Sequence, residues 1–236
     1  MKIFVRYRVA IGVISLLLAV GVTIGVCFFA LSKTAAKAQR LTVVLDAGHG
    51  GIDGGVVGIT SGTKESDINL AITFLLQERF EEAGFNVVLT RKTEAGLYGA
   101  ATTGYKKRDM KKRAQIINSS SPSLVISVHQ NFFSSRSRRG AQVFFRQDSP
   151  QSIALARSIQ GKLNAMPECV NSDLQALMGD YYILNCNPYP AVIVECGFLS
   201  NAEDEALLLT TEYQKKIVEA IVLGSIGFLS SSVAIH

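Results

Sequence analysis

Short β-branched runs alternate with helix-length amphipathic segments from residue 41 to residue 229, and this alternation limits the fold more than any other feature of the chain. Leu41–Leu45 has the pattern of a buried strand and stops at a glycine-dense stretch. Ser66–Ala83 carries Ile68, Ala71, Ile72, Leu75, Leu76 and Phe80 at helical spacing, and Gly84 follows where a helix end favours glycine. Asn86–Thr90 predicts a second strand, Lys106–Asn118 a basic amphipathic helix, Leu124–Val128 a third strand and Ala141–Phe145 a fourth. Ile153–Leu163 is helical in pattern, Tyr181–Leu184 and Ala191–Val194 read as short strands, and Ala202–Leu209 and Glu212–Leu229 read as closing helices. The expected fold class is α/β: a single domain with a mostly parallel twisted sheet flanked by helices, plus an N-terminal transmembrane helix.

The transmembrane expectation rests on Val9–Leu31, 23 residues without a charge, whose polar members are Ser15 and Thr23. As a helix this run would extend about 35 Å, more than a hydrocarbon core of roughly 30 Å, and it lacks the polar face of a core helix. The expected organisation is a cytosolic leader over 1–8, an anchor or uncleaved signal over 9–31, a linker over 32–40 and one catalytic domain over 41–236. Localisation at the cell membrane follows, single-pass, with the body on the exported side. Secretion after cleavage near Ala36-Lys37-Ala38 is the alternative. The formal charge of +5 does not point to nucleic acid. Lys2, Arg6, Arg8, Lys33, Lys37 and Arg40 precede any acidic residue, which leaves 18 basic against 19 acidic residues in the body. Cys169, Cys186 and Cys196 form an odd set without C-x-x-C, so neither a zinc ribbon nor a disulfide pairing can be assigned.

Parallel sheets collect ligands at the carboxyl ends of their strands. There the first strand runs into Asp46-Ala47-Gly48-His49-Gly50-Gly51, the third into Ser127-Val128-His129-Gln130-Asn131, and the strand at 191–194 into Glu195. The chain has three histidines and one is the terminal His236, so a site with two imidazoles must use His49 and His129. A hydrolytic zinc site takes three protein ligands and leaves a place for water, and here the third ligand has to be a carboxylate or a thiolate. Glu65 is one candidate, its alternative role being a helix N-terminal carboxylate favoured by the dipole. Glu195 is either a ligand or a general base. The glycines from Gly48 to Gly58 suggest a phosphate cradle, but neither G-x-G-x-x-G opening a helix nor G-x-x-x-x-G-K-[ST] occurs.

Taken in order, Leu45-Asp46-Ala47-Gly48-His49-Gly50-Gly51, Glu65 with Asn69-Leu70, Ser127-Val128-His129-Gln130-Asn131 and Glu195-Cys196-Gly197-Phe198-Leu199-Ser200-Asn201 resemble the zinc-dependent N-acetylmuramoyl-L-alanine amidases of the type 3 family. The likeness covers nearly all of 41–228, with Thr90-Arg91, Arg113 and Asn118 as further landmarks. It implies one Zn²⁺ per chain on His49, Glu65 and His129, Glu195 as the catalytic carboxylate, and cleavage of the amide between N-acetylmuramic acid and L-alanine. The anchor, the lack of an added wall-binding domain and Gly104-Tyr105-Lys106-Lys107-Arg108 resemble the germination-specific spore-cortex branch, which strips stem peptides so that muramic-δ-lactam can form. Phe132, Glu94 and Cys196 depart from the usual family pattern without removing a ligand.

The implied partners are a peptidoglycan glycan strand with its stem peptide, the membrane and an accessory protein, with no nucleic acid. Asn131 and Asp46 are candidates for substrate contact or ligand support. Of two basic clusters, 106–113 reads by default as a solvated face, whereas Arg136 and Arg138, close to His129, are the stronger candidates for a cationic substrate rim. The alternatives are a zinc exopeptidase on wall peptides and an inactive membrane-anchored wall-binding protein.

Overall fold

The computed structural model describes residues 12, 16–26, 40–100, 103–169 and 174–233. The chain divides into two units, Met1–Arg40 and Leu41–His236. In the first unit residues 16–26 are helical and exposed. Among the described residues no helix is long and apolar enough to cross a membrane. Most of the rest of the expected 9–31 anchor, together with 1–8 and 32–39, lies outside them, as does His236.

In the second unit six strands among the described residues form one sheet in the order β2-β1-β3-β6-β4-β5. The elements, in chain order, are β1 (Thr42–Ala47), α1 (Glu65–Glu82), β2 (Asn86–Leu89), α2 (Tyr105–Ser120), β3 (Leu124–Asn131), β4 (Gln142–Phe145), α3 (Pro150–Asn164), β5 (Leu177–Met178), α4 (Tyr182–Asn185), β6 (Ala191–Phe198), α5 (Ala202–Leu208) and α6 (Thr211–Val233). β1 pairs in parallel with β2 and β3, and β3 with β6. β4 is antiparallel to β6 and parallel to β5, so the sheet is mixed.

Both faces of the central strands are buried, which explains why these strands read as unbroken apolar runs. Val43, Leu45, Ile126 and Val128 pack on one face against Ile68, Ile72, Leu76 and Phe80 of α1 and against α3 and α6. Val44, Val125 and Ile193 turn to the other face and meet Ile117 of α2 with Ile183 and Leu184 of α4. Each such side chain stabilises the fold by about 1.5–3 kcal/mol, and truncating Phe80, which is fully buried, would cost about 3–5 kcal/mol. Local signals fix the helix starts. Ser149 accepts the Ser152 N–H at the head of α3, where Pro150 occupies the first turn, and Asn201 accepts the N–H groups of Glu203 and Asp204 at the head of α5.

Two expectations are corrected. Tyr181–Leu184 is not a strand: Tyr182–Asn185 is a helical turn that places Ile183 and Leu184 in the core and leaves Tyr182 half exposed. Four residues are too few for either periodicity to register, and β-branched and aromatic content alone favoured the strand. The two-residue edge strand β5 was not expected, since Leu177 and Met178 are exposed and carry no burial pattern. β3 and β6 also run further than expected, so His129 and Glu195 lie within strands, directly opposite each other in register.

Candidate metal centre and catalytic cleft

After Ala47 the chain leaves β1 and passes close under β3: the Gly48 N–H donates to the Val128 carbonyl at 3.0 Å. A Cβ on Gly48 would lie 2.3 Å from Cε1 and Nε2 of His129, so the imidazole can rest there only on a glycine. His49 follows in the left-handed region, φ +60°, a conformation that non-glycine residues adopt at a cost. Two arginines hold this turn. Arg91 donates to the carbonyls of Ala47 at 2.9 Å and Gly48 at 3.1 Å, and Arg113 to those of Ala47 at 2.7 Å and His49 at 2.6 Å.

Beneath the turn, Asp46 accepts from Arg113, Thr90 and Ser127, each at 2.6 Å. Burial pushes its carboxyl up, but the Arg113 charge and these hydrogen bonds overcome that and hold it at about 2. Arg113 also pairs with Asp109 at 2.5 Å. Arg91 is drawn down to about 10 by burial and by the neighbouring Arg113 charge, and it stays cationic at neutral pH.

Glu65, the first residue of α1, reaches into the rim. Its Oε1 lies 2.9 Å from His129 Nδ1 and 3.3 Å from His49 Nε2. The same oxygen accepts the Gln130 N–H at 3.1 Å and the Asn69 amide at 3.3 Å, and Oε2 accepts the Val56 N–H at 2.9 Å. Burial opposes the charge on Glu65, yet hydrogen bonding to His129 and His49 holds its carboxyl far below the usual range. His49 is pulled down by burial and raised on balance by Glu65 and Asp53. One donor atom from each of His49, Glu65 and His129 can be chosen so that all lie within 4.8 Å of one another. An ionised oxygen between two imidazoles, with nitrogen and oxygen donors facing inward, fits a zinc ion. Cys196 is not part of this group, and burial pushes its thiol far up.

Glu195 stands across the rim on β6. Its Oε2 is buried with no hydrogen-bond partner among the described residues, and burial, with a smaller contribution from the Glu65 charge, raises its carboxyl to about 7. Glu195, His49 and His129 line a cleft of about 260 Å³. Tyr98, Tyr105 and Lys106 form one side of it, and Tyr181, Tyr182 and Ile183 contribute from another.

The family profile of the N-acetylmuramoyl-L-alanine amidases, type 3, matches residues 43–226. The chain belongs to that family. A germination-specific N-acetylmuramoyl-L-alanine amidase of Bacillus subtilis (strain 168) is 32% identical over 191 residues, which is 80% of this chain and 79% of the relative. The structure of the CwlD amidase from Clostridioides difficile in complex with the GerS lipoprotein superposes with a TM-score of 0.77 at 37% identity, covering 81% of this chain and 100% of that one. An N-acetylmuramoyl-L-alanine amidase from Clostridium difficile 630 gives a TM-score of 0.73 at 27% identity, covering 82% of this chain and 99% of that one.

In this amidase the four residues read from strand ends and motif order, His49, Glu65, His129 and Glu195, meet at one rim. Asn131, Arg136 and Arg138, expected to touch substrate, do not line the cleft. Asn131 accepts its neighbour's Phe132 N–H at 2.8 Å. The Arg136 guanidinium lies 5.2 Å over the Phe132 ring, and that of Arg138 lies 4.8 Å over Phe133. Asp46 does line the cleft, although its carboxylate is committed to Arg113, Thr90 and Ser127.

The basic segment 106–113 is not uniformly solvated. Arg113 is 1% exposed, and Asp109, Arg113 and Ile117 form the buried stripe of α2. Their i, i+4, i+8 spacing was the available signal, hidden by the surrounding lysines. Sequence reasoning also passed over the cleft tyrosines and Asp53, whose Oδ1 lies 3.1 Å from His49 Nδ1, because none of them stands in a strand-end motif.

Proposed function

We propose that the amidase binds one zinc ion through His49, Glu65 and His129 and hydrolyses the amide joining N-acetylmuramic acid to the L-alanine of the stem peptide. The observation that carries this reading is the pairing of a donor-saturated, ionised Glu65 between two imidazoles with a partnerless Glu195 on the facing strand. A zinc ion held there supplies Lewis acidity, lowering the pKa of a water and polarising the scissile carbonyl. The Glu195 carboxylate, without a competing donor, takes a proton from the attacking water and delivers it to the departing alanine nitrogen. Arg91 and Arg113 hold the strained His49 turn, and Asp53 faces the ring nitrogen of His49 that points away from Glu65. Asn131, Arg136 and Arg138 would meet substrate only on the outer rim, beyond the cleft.

The wider setting is a membrane-anchored enzyme, its catalytic unit exported, that strips stem peptides in spore cortex so that muramic-δ-lactam can form. The apolar run at 9–31 and the likeness to a germination-specific relative support this. An accessory protein is part of the proposal, on the strength of the Clostridioides difficile relative solved with a lipoprotein. Mass analysis of peptidoglycan treated with the zinc-loaded full-length chain tests the reaction. Free N-terminal L-alanine with peptide-free muramic acid, abolished by chelation, is the expected outcome. Cleavage between amino acids of the stem would make the enzyme a peptidase, and no release would leave only a wall-binding protein.

A further inference from the structure

Among the described residues the cleft lining holds two basic side chains, Lys106 and Arg113, and of these Lys106 faces outward. Arg113 is spent inward, on Asp46, Asp109 and the carbonyls of Ala47 and His49. Lys106, in the first turn of α2, has a side chain 69% exposed, and its ammonium lies 3.8 Å from Asp53 Oδ2, the outer limit of an ion pair. The other oxygen of that carboxylate is 3.1 Å from His49 Nδ1, so the ammonium stands one carboxylate away from a proposed metal ligand.

The wall that carries Lys106 is firm. The Tyr98 hydroxyl accepts the Ile52 N–H at 2.7 Å, and the rings of Tyr98 and Tyr105 meet edge to face at 5.5 Å. By contrast, the arginines after β3 rest on the faces of Phe132 and Phe133, outside the cleft lining.

An extended peptide advances about 3.3–3.6 Å per residue, so the group on the second residue beyond a scissile amide lies about 7 Å from it. On the lip of the cleft, one carboxylate beyond His49, Lys106 is the outward-facing cation in reach of the chain that leaves the site. We propose that Lys106 is a specificity-determining residue that binds the free α-carboxylate on the second residue of the stem peptide, displacing its loose pairing with Asp53. The proposal rests on the amidase reading above. A charged pair formed on the lip of a partly dry cleft is worth roughly a tenfold preference.

The test uses the zinc-loaded full-length chain and two muropeptides that differ only in whether the second residue carries a carboxylate or its carboxamide. Wild type should cleave the carboxylate form with a kcat/KM roughly tenfold higher, expressed in KM. Lys106→Arg should keep that preference, Lys106→Met should erase it, and Lys106→Glu should reverse it. Zinc content and melting temperature, measured in parallel, show that each variant is folded and loaded. A preference that survives in Lys106→Met, or is absent from the wild type, overturns the role of Lys106. If zinc-loaded wild type releases peptide from neither substrate, the amidase reading itself fails, a result distinct from loss of preference.

Discussion

The two sides of the rim hold the same side chain in opposite surroundings. On the β1–α1 side, Glu65 receives two backbone N–H groups and the Asn69 amide and faces two imidazoles, and it stays ionised. On the β6 side, Glu195 is part-buried, one of its carboxylate oxygens is enclosed where no donor among the described residues reaches it, and its carboxyl rises to about 7. Placement alone thus separates the two carboxylates, the proposed ligand and the proposed proton carrier, because donors stabilise the anion and enclosure without them destabilises it.

The largest effect should come from the β6 side. Glu195→Gln should lower kcat by about 10³-fold or more while zinc remains bound, measured by turnover on muropeptide and by metal analysis of the same sample. Substantial turnover in this variant would end the division of roles. Next come the supports beneath His49. Arg113→Met leaves Asp46 and Asp109 buried without their cation, and it should lower unfolding free energy by about 3–5 kcal/mol in urea titration. A loss below about 1 kcal/mol would mean that the turn is held by other contacts.

The pH dependence of the metal-free chain distinguishes the two sides more finely, with opposite signs for the two kinds of carboxylate. Glu195 has a folded pKa above its unfolded value of 4.5, so the folded state keeps a proton that the unfolded state has released. Stability therefore falls as pH rises from 4.5 to about 7, by about 3 kcal/mol, and Glu195→Gln should remove that slope. Asp46, held at about 2 against an ordinary 3.8, behaves in reverse. Its contribution, about 2 kcal/mol, is present above pH 4 and lost as pH falls toward 2, and Asp46→Asn should remove it. Denaturant midpoints across pH 2–8 for the two variants would show whether each slope belongs to the residue named.

Much of this arrangement was legible in the sequence. The alternation of strand and helix patterns gave the α/β sheet, and the placing of His49, His129 and Glu195 at strand ends gave the rim. The proposed choice of Glu65 over Glu195 as third ligand was not legible from spacing. It depends on the Gln130 and Val56 N–H groups, which converge on Glu65 only after α1 packs against β1 and β3. The segment 106–113 misled for a similar reason: one arginine in six cations turns inward, and composition averages over that. Of the cleft tyrosines, Tyr98 and Tyr181 come from loops and Tyr182 from a four-residue helix, where neither period of two nor period of 3.6 can be read, and Tyr105 opens α2 ahead of its buried stripe.

Zinc stoichiometry of single-site variants of the full-length chain tests the central claim most directly. One zinc per chain is expected in the wild type and in Glu195→Gln, and none in His49→Ala, Glu65→Ala or His129→Ala at micromolar metal. Retention of zinc by Glu65→Ala together with its loss from Glu195→Gln would exchange the two carboxylates and contradict the account.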